Sequence, residues 1–145
     1  MPSKTVDAVF PPAELREIVT EVVELLKDRG ETISCGETEQ IDNFTGPSIH
    51  CVLGLAEHVR GQLGSTYAVA ESGTAGPTHW GKTSNMQAGY VALAVASGSG
   101  CVEREIETGL TDRDANMVKF AVEALRLVKD VIAADMARFS GWLNC

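Results

Sequence analysis

The segment GYVALAVAS at positions 89–97 constrains the fold more than any other part of the chain, because it is continuously apolar and bounded by glycine on both sides. It is too short for a typical isolated helix, and its lack of alternation indicates a β-strand buried on both faces. Such a strand needs other elements packed on each side of its sheet. The turn SGSG at 97–100 and the alternating segment CVEREIET at 101–108 predict a hairpin partner for it.

Amphipathic segments supply the elements that would cover this sheet. Apolar residues recur at helical spacing after Pro12, after Ser48 and after Thr111, which predicts three helices. Glycines at 30 and 64 mark the ends of the first two. Two short β-prone stretches stand between them. The predicted elements are helices at 11–29, 48–62 and 111–134 and strands at 32–35, 66–70, 89–97 and 101–108.

This order of elements predicts an α/β fold, a three-layer sandwich with a small central mixed sheet and helices on its faces. A length of 145 residues suits one domain. We expect residues 1–10 to be a flexible arm and residues 11–134 to be the domain. Residues 135–145 would form a C-terminal extension whose apolar side chains cover the domain or a partner subunit; these are Met136, Phe139, Trp142 and Leu143.

Composition and charge exclude several classes of protein. Twelve basic and 20 acidic side chains give a formal charge of −8, which argues against a nucleic-acid partner. No stretch approaches the roughly 20 apolar residues that span a bilayer, and no signal peptide is visible. We therefore expect a cytoplasmic protein with no nucleic-acid or membrane partner. The apolar side chains of the C-terminal extension favour a homo-oligomer, most simply a dimer.

Neither a metal nor another cofactor is expected from the sequence. The four cysteines, at positions 35, 51, 101 and 145, form no CxxC pair. His50 and His58 are eight residues apart on one predicted helix, which is poor spacing for a shared metal ion.

The loop AESGTAGPTHWGKTSNMQAGY at 70–90 carries more chemistry than a connector needs. Ser72, Gly73, Thr74 and Gly76 fit either a tight turn or a set of hydroxyls and backbone N–H groups that binds a polar or anionic group. His79 and Trp80 would be either an exposed loop tip or a working pair. In the second case His79 transfers a proton and Trp80 stacks on a ring-containing substrate.

Three segments identify a resemblance to a known family. LAEHVRGQLGSTYAVAESGTAGP, GYVALAVAS and TGLTDRDANMVKFAVEALRL together resemble the C-terminal domain of CinA, a family that includes stand-alone nicotinamide-mononucleotide amidohydrolases. The similarity covers roughly residues 13–39 and 46–132. It implies a three-layer α/β sandwich that is usually oligomeric.

The resemblance also implies site residues. The acid and the nucleophilic serine of the family's AESCTGG-like motif fall on Glu37 and Thr38 in CGETEQID, and Glu39 follows them. A hydroxyl residue of the family falls on Ser72, and an arginine falls on Arg113 in LTDRDAN. Glu37 and Glu39 fit either a solvated acidic turn or a proton shuttle in an apolar cleft. Arg113 would pair with a nearby aspartate or with a substrate anion.

The chain also departs from the family pattern. Ile41 and Asp42 replace the two glycines of the AESCTGG-like motif, and the family segment that carries a catalytic lysine and tyrosine is absent. We therefore expect a small-molecule enzyme with a rebuilt site, working by acid/base or templating chemistry such as cyclisation, isomerisation, elimination or hydrolysis. The alternatives are a surviving nicotinamide-mononucleotide amidohydrolase and a non-catalytic binding or assembly protein.

Overall fold

A computed structural model describes residues 11–35 and 46–143, apart from the side chains of residues 34, 35 and 143. The helices and strands follow one another in the order predicted from the sequence. They are α1 (Ala13–Arg29), β1 (Ile33–Cys35), α2 (Ile49–Leu63), β2 (Tyr67–Thr74), a short 3-10 helix (Ser84–Met86), β3 (Tyr90–Ser97), β4 (Gly100–Glu107) and α3 (Arg113–Leu143).

The four strands form one mixed sheet in the order β1-β2-β3-β4. β1 is parallel to β2, whereas the pairs β2–β3 and β3–β4 are antiparallel. All eight residues of β3 are buried, which confirms the strand predicted from its apolar run. Alternate residues of that strand contribute to two separate clusters, one on each face of the sheet.

The helices cover both faces of the sheet. Val52, Ala56 and Val59 of α2 pack against alanine-rich positions of β2 and β3. On the other face, Val22 and Leu26 of α1 join a larger cluster of α3 residues and the valines and leucine of the sheet. These three layers confirm the predicted sandwich.

All three helices begin at the same end of the sheet. The N-cap Ser48 of α2 and the first residue of α3 lie near the C-terminal end of β2, and Arg60 at the end of α2 donates from Nε to the carbonyl of Thr66, just before β2. Ion pairs between α1 and α3, Glu14–Arg126 and Glu21–Lys129, show that these two helices run in the same direction. We call the end where the helices begin the cleft end, because the cleft described below lies there. The other end, where α3 continues past Ile132, its last buried residue among those described, to Leu143, is the overhang end.

Two elements are longer than the sequence predicts. β2 continues to Thr74 instead of ending at Ala70, because its pairing with β3 extends to Thr74 opposite Tyr90. Ser72 and Gly73 therefore belong to a strand, and of the two alternatives left open for these positions the tight turn is wrong. α3 continues without a break through the predicted extension to Leu143. None of the helices in the described ranges is long and apolar enough to cross a membrane.

Candidate functional site

An open cleft of about 540 Å³ lies at the cleft end of the sheet. Its volume falls within the roughly 300–1,000 Å³ that is common for small-molecule sites. The residues that line it come from the end of β2, the loop after it and the starts of two helices. They are Pro47, Ser72, Gly73, Thr74, Ala75, Gly76, Thr78, Trp80 and Arg113. The structure thus brings together Ser72 and all five residues assigned from the sequence to substrate binding.

The last residues of β2 form one wall of the cleft. Side chains alternate along a strand, so Ser72 and Thr74 continue the row of Ala68 and Ala70, which packs beneath α2. Among the described residues, β1 pairs with β2 only as far as Val69. The final part of β2 therefore extends past the end of its parallel neighbour, and its hydroxyl side chains face the space where α2 begins.

A chain of hydrogen bonds fixes Trp80 over this wall. Trp80 Nε1 donates to Thr74 Oγ1 over 3.2 Å, and Thr74 Oγ1 donates to the carbonyl of Asn85 over 2.8 Å. Asn85 Nδ2 in turn donates to the carbonyl of Pro47 over 3.0 Å, next to the start of α2. The indole nitrogen is thereby satisfied while 51% of the side chain is exposed. The Thr74 hydroxyl both donates and accepts within the protein, so it positions Trp80.

Gly46 allows this arrangement because it has no side chain. Its φ of +106° lies in the region that favours glycine. A Cβ at this position would lie 2.8 Å from Asn85 Nδ2 and 2.9 Å from the ring of Trp80. The chain that enters α2 can therefore pass directly against the indole.

A second polar group, Asn116 of α3, holds the loop on the other side of the cleft. Its side chain is fully buried, and Nδ2 donates to the carbonyls of Ala75 and Leu110 over 2.8 and 3.0 Å. Its Oδ1 accepts from the Thr108 hydroxyl over 2.5 Å. Asn116 therefore ties the loop after β2 to the segment that enters α3. Neither Asn116 nor Asn85 was predicted as a site residue. Their signal in the sequence is an amide within a predicted helix and an amide within a glycine-containing loop.

Arg113 brings positive charge to the cleft. It is the first residue of α3, and its Nη1 lies 3.5 Å from the carbonyl of Gly76, a long contact. Within residues 11–35 and 46–143 no carboxylate forms an ion pair with it, and Asp112 instead caps the helix by accepting from the Ala115 N–H. Helix N-termini carry partial positive charge, so the starts of α2 and α3 add to the potential of the guanidinium.

Gly76 shapes the loop that Arg113 contacts. Its φ is +87°, and the peptide bond to Pro77 is cis. A Cβ on Gly76 would lie 2.7 Å from the Ala88 Cβ and 2.9 Å from the Thr111 carbonyl oxygen. The positive φ expected among these glycines is therefore found at Gly76. Gly73 keeps a strand backbone, and the space for its Cβ is taken by Phe120 and the Tyr90 carbonyl.

His79 lies beside the cleft but is not among the residues that line it. Its Nδ1 accepts a hydrogen bond from the Ala88 N–H over 3.1 Å, so the lone pair on that nitrogen holds the loop closed. Only Nε2 is left to exchange a proton with a ligand. The predicted proton transfer by His79 stays a prediction, now limited to that nitrogen.

Three predicted catalytic residues, Glu37, Thr38 and Glu39, lie outside the described residues. On the far side of them, Gly46 lies against Trp80 at the cleft, whereas β1 ends opposite Val69, near the start of β2. Their roles therefore stay predictions.

No group of three or more histidine, cysteine, aspartate or glutamate side chains in the described part of the chain is arranged to hold a metal ion.

Glu71 precedes Ser72 on β2, and the alternation of side chains along the strand directs its carboxyl to the opposite face of the sheet. Surrounding atoms desolvate that carboxyl and raise its pKa, although the side chain still contacts solvent. The lining of the cleft thus combines hydroxyls, glycines, one indole and one guanidinium.

Comparison with known proteins identifies the family. The model of the CinA C-terminal domain matches residues 37–132. A CinA-like protein of Shewanella sediminis is 34% identical over 110 residues, covering 71% of this chain and 25% of its own length. A second CinA-like protein, from Shewanella piezotolerans, is 35% identical over 100 residues, covering 69% of this chain and 21% of its own length.

This chain belongs to the CinA family. It spans about a quarter of the length of the curated relatives that it matches. Solved structures agree on the fold. The competence/damage-inducible protein CihA of Agrobacterium tumefaciens superposes with a TM-score of 0.71 at 18% identity, over 82% of this chain and 96% of that one. A CinA superfamily protein of Escherichia coli gives 0.71 at 11% identity, over 89% and 94%.

Proposed function

We propose that this CinA-family chain is a small-molecule enzyme that binds a metabolite carrying both an anionic group and a flat ring. The observation that supports this most is the convergence of Arg113, Ser72 and Trp80 on one cleft. Each supplies a different kind of contact: a charge-assisted hydrogen bond, a neutral hydrogen bond and a stacking surface. Together they match a polar metabolite better than a macromolecule.

The anionic group would bind at the starts of α2 and α3. Arg113 has no carboxylate partner among the described residues, and the positive ends of two helices point toward the same space. The chain carries a formal charge of −8, so an anion would be drawn to a local positive region against an overall negative field. Long-range attraction would therefore be weak, and affinity would depend on short-range contacts.

Trp80 would select for the ring. Its indole nitrogen is already bonded to Thr74, and half of its surface is exposed. A side chain held in place by a hydrogen bond loses little further entropy when it stacks on a ligand. We expect chemistry of the acid/base or templating kind, with protons exchanged by Glu37, Glu39 or His79 Nε2 and with Thr38 and Ser72 supplying hydroxyl groups.

Calorimetric titration with mononucleotides tests this proposal, because they combine a phosphate with a flat base. Arg113→Ala should weaken binding about 10- to 100-fold, the usual value of a hydrogen bond to a charged group. Arg138→Ala, at the overhang end, is the matched control and should leave affinity unchanged. Equal affinity in the unsubstituted chain and Arg113→Ala, or no binding of any anionic ring compound, would contradict the proposal.

Nicotinamide-mononucleotide deamidation is a second candidate, supported by family membership and by the place of Ser72 and Arg113 in one cleft. The departure of Ile41 and Asp42 from the family glycines and the missing lysine-bearing segment argue against it. We expect ammonia release from this substrate well below about 1 per second. Turnover at or above that value would make deamidation the preferred function. Ligand binding without any turnover would instead favour a non-catalytic binding protein.

A further inference from the structure

A second cleft, of about 460 Å³, lies at the overhang end of the sheet. Its walls come from the ends of α1 and α2, the start of β2, the turn between β3 and β4, and the last turns of α3. Its volume is within the range of small-molecule sites, and no described residue lines both this cleft and the candidate site. A ligand of the second cleft therefore binds without touching the first.

Two guanidinium groups at the second cleft have donors that the chain does not use. Arg60 donates from Nε to the carbonyl of Thr66 over 3.1 Å, and no carboxylate in the described ranges forms an ion pair with it. Its Nη2 lies 3.6 Å from the position of a Cβ on Gly98, beside the turn between β3 and β4. Arg138 is 65% exposed, and its Nη1 lies 3.9 Å from Asp135 Oδ1, too far for a hydrogen bond. Both arginines can therefore bind a carboxylate that a ligand brings.

The same cleft also has an acceptor without a donor. Glu31 Oε1 accepts from Arg29 Nε over 2.7 Å, whereas Oε2 is buried and has no hydrogen-bond partner among the residues that the structure describes. A buried oxygen without a donor costs free energy, so a ligand that donates to it gains affinity. A second carboxylate of the cleft, that of Asp135, accepts from the Tyr67 hydroxyl. An ammonium group suits this region, because it donates and carries the opposite charge.

An aromatic surface forms the remaining wall. Phe139 and Trp142 line the cleft from the last turns of α3, and they are 66% and 86% exposed. They are three residues apart and therefore share a helix face. Aromatic side chains with this much uncovered surface can pack on an apolar group of a ligand.

We propose that the second cleft binds a free α-amino acid with a large apolar side chain. The carboxylate of the amino acid binds Arg60 and Arg138. Its ammonium group donates to Glu31 Oε2, and its side chain packs on Phe139 and Trp142. The cleft thus matches a zwitterion, with its own positive and negative groups on different walls. A phosphate monoester brings no ammonium group, so the carboxylates here disfavour the ligand class proposed for the candidate site.

Tryptophan emission, with L-phenylalanine as the probe, tests the proposal. In a Trp80→Phe variant, Trp142 is the remaining tryptophan, since the chain has two. Its emission should change saturably as L-phenylalanine is added. Two analogues, 3-phenylpropionate without the ammonium group and phenethylamine without the carboxylate, should each bind at least about 10-fold more weakly. This comparison needs no substitution at the second cleft, so it does not depend on how such a variant folds.

Two further substitutions test each end of the amino acid separately, with circular dichroism as the check on the fold. Glu31→Gln should weaken the binding of L-phenylalanine at least about 10-fold without weakening that of 3-phenylpropionate. Arg138→Ala should weaken the binding of both compounds. Lys82→Ala is the matched control, because Lys82 is an exposed cation that lines neither cleft, and it should leave both affinities unchanged.

Three results would overturn the proposal: a Trp142 emission that does not respond to L-phenylalanine, equal affinity for the three compounds, or unchanged affinity for L-phenylalanine in Glu31→Gln. An emission that changes when the protein is diluted without L-phenylalanine would also overturn it, since a second copy of the chain would then cover the cleft.

Discussion

The two ends of the sheet differ in how their exposed groups are satisfied. At the cleft end, Trp80, Thr74 and Asn116 are bonded within the chain, and the exposed Arg113 forms no ion pair among the described residues. At the overhang end, Tyr67 is buried beneath α3, yet Phe139 and Trp142 above it have little intrachain cover. The polar groups of the first end are thus satisfied within the chain, whereas the second end leaves two aromatic side chains in contact with solvent.

The largest expected effect on the free energy of unfolding concerns the hydrogen bonds of Asn116 at the cleft end. Asn116→Ala removes three hydrogen bonds of a fully buried side chain and leaves the carbonyls of Ala75 and Leu110 and the Thr108 hydroxyl without this partner. We expect a loss of about 3 kcal/mol in the free energy of unfolding, measured by urea denaturation. Trp142→Ala at the overhang end, compared at a concentration where the chain is monomeric, should cost less than about 0.5 kcal/mol. Similar losses for the two variants would remove the distinction between the ends.

Replacing a glycine by alanine at each end of the sheet compares how closely the backbone is packed there. Gly76→Ala combines a positive φ with a Cβ 2.7 Å from Ala88, and should cost about 2–4 kcal/mol. Gly30, at the end of α1, also has a positive φ, but no atom lies within 4 Å of the position of its Cβ. Gly30→Ala should therefore cost only about 1 kcal/mol. Thermal unfolding of both variants checks this, and equal costs would show that the close packing around Gly76 relaxes freely.

A smaller effect compares the two tyrosines of the chain, one near each end of the sheet. Burial, together with the charges of Glu31 and Asp135, raises the pKa of Tyr67 to about 12 from its ordinary value of 10.0. Burial and the hydrogen bond to Glu105 also raise the pKa of Tyr90. Above pH 10 the unfolded chain releases these protons while the folded chain retains them, so the free energy of unfolding should fall as pH rises from 10 to 12.

Tyr67→Phe and Tyr90→Phe should each reduce that alkaline loss, by about 1 kcal/mol at pH 11 for Tyr67. Denaturation at several alkaline pH values measures the slope. A slope that is the same in both variants and in the unsubstituted chain would show that neither hydroxyl is held protonated by the fold.

The fold follows from local patterns in the sequence to a large extent. The apolar run of β3 predicted the buried strand, and Ser48, Gly30 and Gly64 marked helix ends that the structure confirms. Local patterns could not give the length of β2, because its last residues are strand only through pairing with β3. They also could not show α3 continuing past Ala134, since neither Gly141 nor the polar residues of the tail break the helix in the structure.

The location of the candidate site was predictable from the sequence, but the hydrogen bonds that hold the cleft were not. The residues Ser72, Gly76, Trp80 and Arg113 were identified from residue type and from the family resemblance, and they line one cleft. The bonds that hold this cleft join positions far apart in sequence, such as Asn85 to Pro47 and Asn116 to Ala75. An amide side chain has no local preference that specifies such a partner, so these two residues became recognisable only in the folded chain.

Tryptophan fluorescence tests the central claim most directly, because one tryptophan lies at each end of the sheet. Trp142→Phe leaves Trp80 as the reporter of the cleft end, and Trp80→Phe leaves Trp142 as the reporter of the overhang end. The two variants are titrated with the same mononucleotide at fixed protein concentration. We expect saturable quenching in Trp142→Phe, abolished by adding Arg113→Ala, and no response in Trp80→Phe. A response from Trp142 alone, or an equal response from both tryptophans, would contradict the assignment of the ligand site to the cleft end.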